Sequence, residues 1–171
     1  MAELEMAQDW SGLTRFAEER IRLEPTNYDW RVVAGYAWLR RGDNARASDA
    51  FLLVTQRNPE DIDAWNMLGE TQRLSGQPAR AAQTLERAAT IDRTSSVTYF
   101  LLGEAYRDAG RLERATAAYR ESLRHAPKYA PAWFGLGTVY VRTGSREELQ
   151  AVKEQLQKLD PSLAEQLGRS R

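Results

Sequence analysis

The chain holds one histidine, His125, and no cysteine, so the groups most often used as nucleophile, general base or metal ligand are nearly missing. A zinc site needs several His or Cys ligands, and an activated nucleophile needs an adjacent base. His125, in the stretch RESLRHAP, has neither companion; a place near a helix C-terminus, where partial positive charge is welcome, accounts for it. Carboxylates are plentiful, but Glu70/Arg73 and Glu104/Arg107 stand three residues apart. That is the spacing of ion pairs on a solvated helix surface rather than of acid–base machinery. The glycines make no G-x-G-x-x-G phosphate loop. Five tryptophans could stack on bases, yet such platforms come with surplus basic residues, and here 24 Lys and Arg face 24 Asp and Glu. The same neutrality disfavours phosphate binding through counterion release. The reading is of a chain that is not an enzyme, takes no cofactor or metal, and has neither nucleic acid nor membrane insertion in its repertoire.

The elements that carry these residues announce themselves by period. WFGLGTVYVRTG (Trp133 to Gly144) is matched 34 residues upstream by YFLLGEAYRDAG (Tyr99 to Gly110) and again by WNMLGETQRLSG (Trp65 to Gly76). Two glycine rows run without gaps: Gly35, Gly69, Gly103 and Gly137; then Gly42, Gly76, Gly110 and Gly144. Pro25, Pro59, Pro127 and Pro161 fall on the same grid, with Arg93 in the vacant slot. A row of small or apolar residues follows, Ala47, Ala81, Ala115 and Leu149, and four residues later Phe51, Leu85, Tyr119 and Lys153.

Each 34-residue unit reads as two helices. Trp65, Leu68, Gly69 and Gln72 follow the i, i+3, i+4, i+7 spacing of one helix face, as do Tyr99, Leu102, Gly103 and Tyr106. Gly76 and Gly110 end the first helix by accepting positive φ. Ala81, Leu85, Ala88 and Ile91 form the stripe of the second helix, and proline stops it. The Leu-Gly glycine is expected to let the two helices approach, with the small Ala of the second helix meeting it.

The pattern W-x2-L-G-x2-Y, A-x3-F, P at period 34 resembles the tetratricopeptide repeat. Trp133-Leu136-Gly137-Tyr140 and Tyr99-Leu102-Gly103-Tyr106-Ala115-Tyr119-Pro127 carry the likeness most fully. It divides the chain into a partial repeat (1–27), four repeats (28–61, 62–95, 96–129 and 130–163, the last with a polar capping helix) and a tail (164–171). The resemblance implies an all-α, right-handed superhelical solenoid of antiparallel helix pairs. Arg31 and Ala34 depart from the pattern, as do Trp38 and Gln72 in the tyrosine slot; Trp30 is placed to supply the aromatic that Arg31 lacks.

The ends are read separately. Leu149, Val152, Leu156 and Leu159 form a narrow stripe, as suits a helix with no following repeat. Asp160 as N-cap and Pro161 at N1 would start a short helix whose Leu163 and Leu167 turn back onto the last pair, while Gly168 to Arg171 fray. At the other end Trp10, Leu13, Ala17 and Ile21 make an inward stripe whose partner helix is mostly missing. It is expected to lie uncovered and to serve as a homodimer edge, unless the chain is a piece of a longer array.

Stacked helical pairs present a concave surface lined by their first helices. The rows beside the core face are Val32, Tyr36 and Leu39; Asn66, Glu70 and Arg73; Phe100, Glu104 and Arg107; Phe134, Thr138 and Val141. Exposed Tyr36, Phe100 and Phe134 around a polar middle suggest a groove for a peptide or helix of a protein partner. Tetratricopeptide clamps for the carboxylate tail of heat-shock chaperones use Lys and Asn at set slots; here those slots hold Val32, Tyr36, Met67, Val97 and Leu101, or Asn66, Glu70, Leu101, Pro131 and Gly135, so no such clamp forms. The functional expectation is a non-catalytic interaction scaffold, one module of a bacterial multiprotein assembly. The alternatives are an adaptor cut from a larger enzyme such as a transferase, and a self-assembling scaffold. MAELEMAQDW lacks the basic flank and apolar core of a signal peptide; compartment stays open, with the cytoplasm preferred to the periplasm.

Overall fold

The computed structural model describes residues 1–169, and these are all-helical, with no strand among them. They divide into two compact units, Met1–Ile91 and Asp92–Arg171. The first holds α1 (Ala2–Met6), α2 (Trp10–Leu23), α3 (Asp29–Arg40), α4 (Asn44–Arg57), α5 (Ile62–Leu74) and α6 (Pro78–Ile91). In the second lie α7 (Ser96–Asp108), α8 (Leu112–His125), α9 (Ala130–Thr143), α10 (Arg146–Leu159) and α11 (Pro161–Arg169). Within each unit every helix packs on its neighbour in the chain, because turns of only a few residues leave antiparallel contact as the way to bury each apolar stripe.

Local chemistry sets the ends. Asp9, Asp43, Asp61, Ser95 and Asp160 each accept the backbone N–H of the third residue onward, at 2.8–3.2 Å, a cap that contributes about 1 kcal/mol apiece. Gly42, Gly76, Gly110 and Gly144 take φ of +73° to +79°, the left-handed region in which a Cβ would clash. Asp160 starts α11 as expected, but the helix continues through Gly168 and Arg169 where fraying was expected; Ser170 and Arg171 lie outside the described residues.

Packing corrects the expectation for the Leu-Gly row. A Cβ on Gly35 would lie 2.9 Å from the Phe51 ring, one on Gly69 2.5 Å from Leu85, and one on Gly103 2.6 Å from Tyr119. The glycines therefore admit the large residue of the second helix, not the small one. Ala47, Ala81 and Ala115 are fully buried in their own right. Lys153 occupies that large-residue slot in the last repeat, and Leu167 from α11 replaces it, filling the space where Gly137 would carry a Cβ.

The N-terminal stripe is also corrected. Leu13 and Ala17 are fully buried, and Trp10 and Ile21 half-buried. A second helix has two neighbours, and α3 covers the stripe from the far side: α2 packs on α3, with Trp10 edge-on to Tyr36 and Phe16 edge-on to Trp30. Leu13 and Ala17, two of the four stripe residues, are thus packed inside the unit rather than left uncovered.

Candidate functional site

The first unit offers the more open face. On α3, Val32 is 39 % and Tyr36 41 % exposed. The Tyr36 ring meets Trp10 of α2 edge-on at 5.9 Å, and the Arg40 guanidinium sits 4.9 Å over that indole. Leu39 turns to the core formed by Ala47, Phe51 and Leu68. On α5, Arg73 grips Glu70 with two hydrogen bonds of 2.9 and 2.8 Å. Asn66 is buried at 6 % exposure, so it belongs to the packing of α5 rather than to a lining.

The second unit closes its polar middle on itself. Arg107 donates to both Glu104 oxygens at 2.8 Å and also reaches Asp108 at 3.1 Å. Tyr119, from the second helix, donates its hydroxyl to Glu104 at 2.5 Å. Burial, then the Glu104 charge, pushes the Tyr119 phenol far above the usual tyrosine range; the same causes in the same order raise Tyr129. Phe100 stands edge-on to Tyr129 at 5.4 Å and is half-buried, as are Phe134, Thr138 and Val141. Thr138 donates to its own helix, at Gly135, over 2.7 Å. Thus Tyr36 is the exposed aromatic expected from sequence, while Phe100 and Phe134 form walls. The pairs Glu70/Arg73 and Glu104/Arg107 have the expected partners but are largely buried, with side-chain exposures of 14–23 %.

Sequence reasoning missed Trp10 and Tyr119 as parts of these faces. Gly135, two residues before the grid glycine Gly137, was the available signal: its Cβ would lie 2.5 Å from the Tyr119 ring. His125 stacks on Tyr99 with centroids 6.0 Å apart and lies 3.3 Å from Glu121. Among the described residues no group of three or more His, Cys, Asp or Glu comes together to hold a metal, and no helix is long and apolar enough to cross a membrane.

Comparison with known proteins agrees with this architecture. Two family models match, one described as tetratricopeptide repeat over residues 32–96 and one as TPR repeat over 103–144, together more than half of the chain. The general transcriptional corepressor trfA of Dictyostelium discoideum is 28% identical over 133 residues, 77% of this chain and 10% of that protein. Anaphase-promoting complex subunit 3 of Schizosaccharomyces pombe is 24% identical over 107 residues, 63% of this chain and 16% of that protein. The chain thus spans a small part of the curated relatives it matches. Among solved structures, MamA superposes with a TM-score of 0.83 at 19% identity, covering 95% of both chains. YrrB, described as a TPR protein with an unusual peptide-binding site, gives 0.76 at 20% identity, covering 98% of this chain and 88% of its own.

Proposed function

The chain belongs to the tetratricopeptide repeat family, and from that premise we propose that it is a non-catalytic scaffold that holds a peptide or helix of a protein partner on the outward faces of its first helices. The observation that carries this reading is the Val32/Tyr36 face. These are large apolar side chains left about two-fifths exposed beside the half-buried Trp10, where helix pairing does not need them. Aromatic anchors flanked by arginine are what interface hot spots are made of, and Arg40 already sits over the Trp10 ring. The largely buried Glu70–Arg73 pair of the same unit, with its charges matched internally, leaves recognition to shape and to apolar contact. The peptide-binding description of YrrB supports the same use of the fold.

The test begins with peptides selected from a random displayed library on the whole chain. The affinity of a selected peptide is measured by calorimetry on the parent, Tyr36→Ala and Val32→Asp. A loss of at least about tenfold, or ~1.4 kcal/mol, with unchanged melting supports the reading. Equal affinity for all three proteins contradicts it.

A further inference from the structure

Four side chains of α3 run down one line of the helix: Asp29, Val32, Tyr36 and Arg40. At about 100° per residue they fall within roughly 80° of one another, and all four are exposed. The line therefore has an acid at one end, the apolar pair in its middle and a base at the other, with Asp29 and Arg40 about 16 Å apart along the helix axis. The same slots on α5 hold Asp63, Asn66, Glu70 and Leu74. There the acid recurs at the same end, exposed like Asp29, while the other end is apolar, with Leu74 44 % exposed. Arg40 is the base of this face.

Signs of this kind complement the dipole of α3 itself, yet neither end charge is matched within the chain. Ion pairs in this unit engage Glu24, Asp43 and Glu70, and leave Asp29 and Arg40 without one among the described residues. The remaining charges nearby are otherwise placed. Arg31 and Arg57 stand over the Tyr28 ring, Arg41 reaches the Thr14 hydroxyl at 3.4 Å, and Asp9 caps α2 at Gly12. Glu3 and Glu5 lie on α1, which packs on α2. Arg40 rests its guanidinium on the Trp10 indole, 4.9 Å from the ring centroid. Stacking of this kind holds the planar group in place while its N–H edge stays open to a carboxylate.

We propose that the segment held on this face is a helix with an apolar centre and opposite charges at its two ends, a base set against Asp29 and an acid set against Arg40. The proposal rests on the reading of the Val32/Tyr36 face as the partner site, and names the partner's chemistry. A helix is chosen over a strand because the described residues include no strand edge on which an extended backbone could pair. A helix satisfies its own N–H and C=O groups. In it the two charges stand about three turns apart, with apolar residues between them that meet Val32 and Tyr36. A segment acidic at both ends, or basic at both ends, meets one like charge whichever way round it lies.

The probe is a displayed library of helical peptides with fixed leucines in the middle and Glu, Lys or Ala at the two end positions. It is selected on the whole chain and on its Arg40→Glu, Asp29→Lys and Tyr36→Ala variants. The parent should enrich peptides with Glu at one end and Lys at the other. Arg40→Glu should enrich Lys at both ends, Asp29→Lys should enrich Glu at both ends, and Tyr36→Ala should enrich none. A synthetic Glu/Lys peptide should bind Arg40→Glu at least about threefold more weakly than the parent, as suits an exposed pair turned into repulsion, and should regain the loss when its Glu is changed to Lys. High salt should narrow the difference. Enrichment that is lost in Tyr36→Ala but indifferent to the end charges overturns this proposal and leaves the Val32/Tyr36 site standing, as does no enrichment from this library. Enrichment that persists in Tyr36→Ala overturns both. A dimer in light scattering that Arg40→Glu dissociates puts a second copy of the chain on the face and also overturns the proposal. Asp29 and Arg40 are both exposed and lie at opposite ends of α3, so either variant decides the matter where the other fails to fold.

Discussion

Tyr119 donates its hydroxyl to the Glu104 carboxylate at 2.5 Å from a ring wedged between the backbones of Gly103 and Gly135. One side chain of α8 thereby fixes the spacing of two first helices, α7 and α9, and the direction of the Glu104–Arg107 pair. Leu85 fills the corresponding slot in the first unit against Gly69 alone. The larger tyrosine needs the second glycine.

The two glycines should therefore respond differently to a change at Tyr119. Gly103→Ala and Gly135→Ala each overpack the tyrosine ring and should cost about 1–3 kcal/mol. The atoms met by a Cβ on Gly135 are the far ring carbons and the hydroxyl, which leucine lacks. In a Tyr119→Leu background, Gly135→Ala should be nearly neutral while Gly103→Ala stays costly. Urea denaturation of the double-mutant cycle measures this coupling; equal costs in both backgrounds would refute it.

Alkali should weaken the second unit through the same side chain. Burial and Glu104 raise the folded-state pKa of Tyr119 above the ordinary value, which is about 10. The unfolded chain thus loses this proton first, and the stabilisation, complete below pH ~10, declines as pH rises beyond it. Melting temperatures between pH 8 and 11 should fall more steeply for the parent than for Tyr119→Phe. Parallel curves would contradict the assignment.

Arg31 does the work of the tryptophan it replaces. Its guanidinium donates to the Pro25 carbonyl at 3.0 Å, as the indoles of Trp65 and Trp133 do to Pro59 and Pro127. Trp30 does turn inward, onto Phe16, but the hydrogen bond belongs to Arg31. Arg31→Trp should keep thermal stability, whereas Arg31→Ala should lose roughly 1 kcal/mol.

The termini yield two further expectations. Leu167→Ala should destabilise the second unit by about 2–5 kcal/mol, because Leu167 fills the slot beside Gly137 that Lys153 leaves. Leu13→Glu should unfold part of the first unit, at a cost of at least about 2 kcal/mol for an unpartnered buried polar group, without changing the oligomeric state. Denaturant melts and light scattering read both; a fully stable Leu13→Glu protein would mean that α3 does not cover the stripe.

The glycine rows, the caps and the helix spans could be read from sequence because each is decided within one turn of backbone. So could the partners of Glu70 and Glu104, one turn away along the same helix. Their burial could not, since it depends on residues contributed by other helices, as with Tyr119 over Glu104. The supposed uncovered stripe failed for a related reason: Leu13 was matched to the helix before it, whereas α3, after it, supplies the cover. Asn66 was placed by its row alone, and a row fixes angle around a helix without fixing depth.

The central claim, that a partner segment lies on the outward rows of the first helices, is tested most directly by mapping a library-selected peptide onto the backbone amide signals of the intact chain. The account predicts that the largest perturbations fall on α3 around Val32 and Tyr36 and on the neighbouring first helix of the same unit, α5, and that the Tyr36→Ala protein loses them. Perturbations confined to the second helices, α4, α6, α8 and α10, would contradict it.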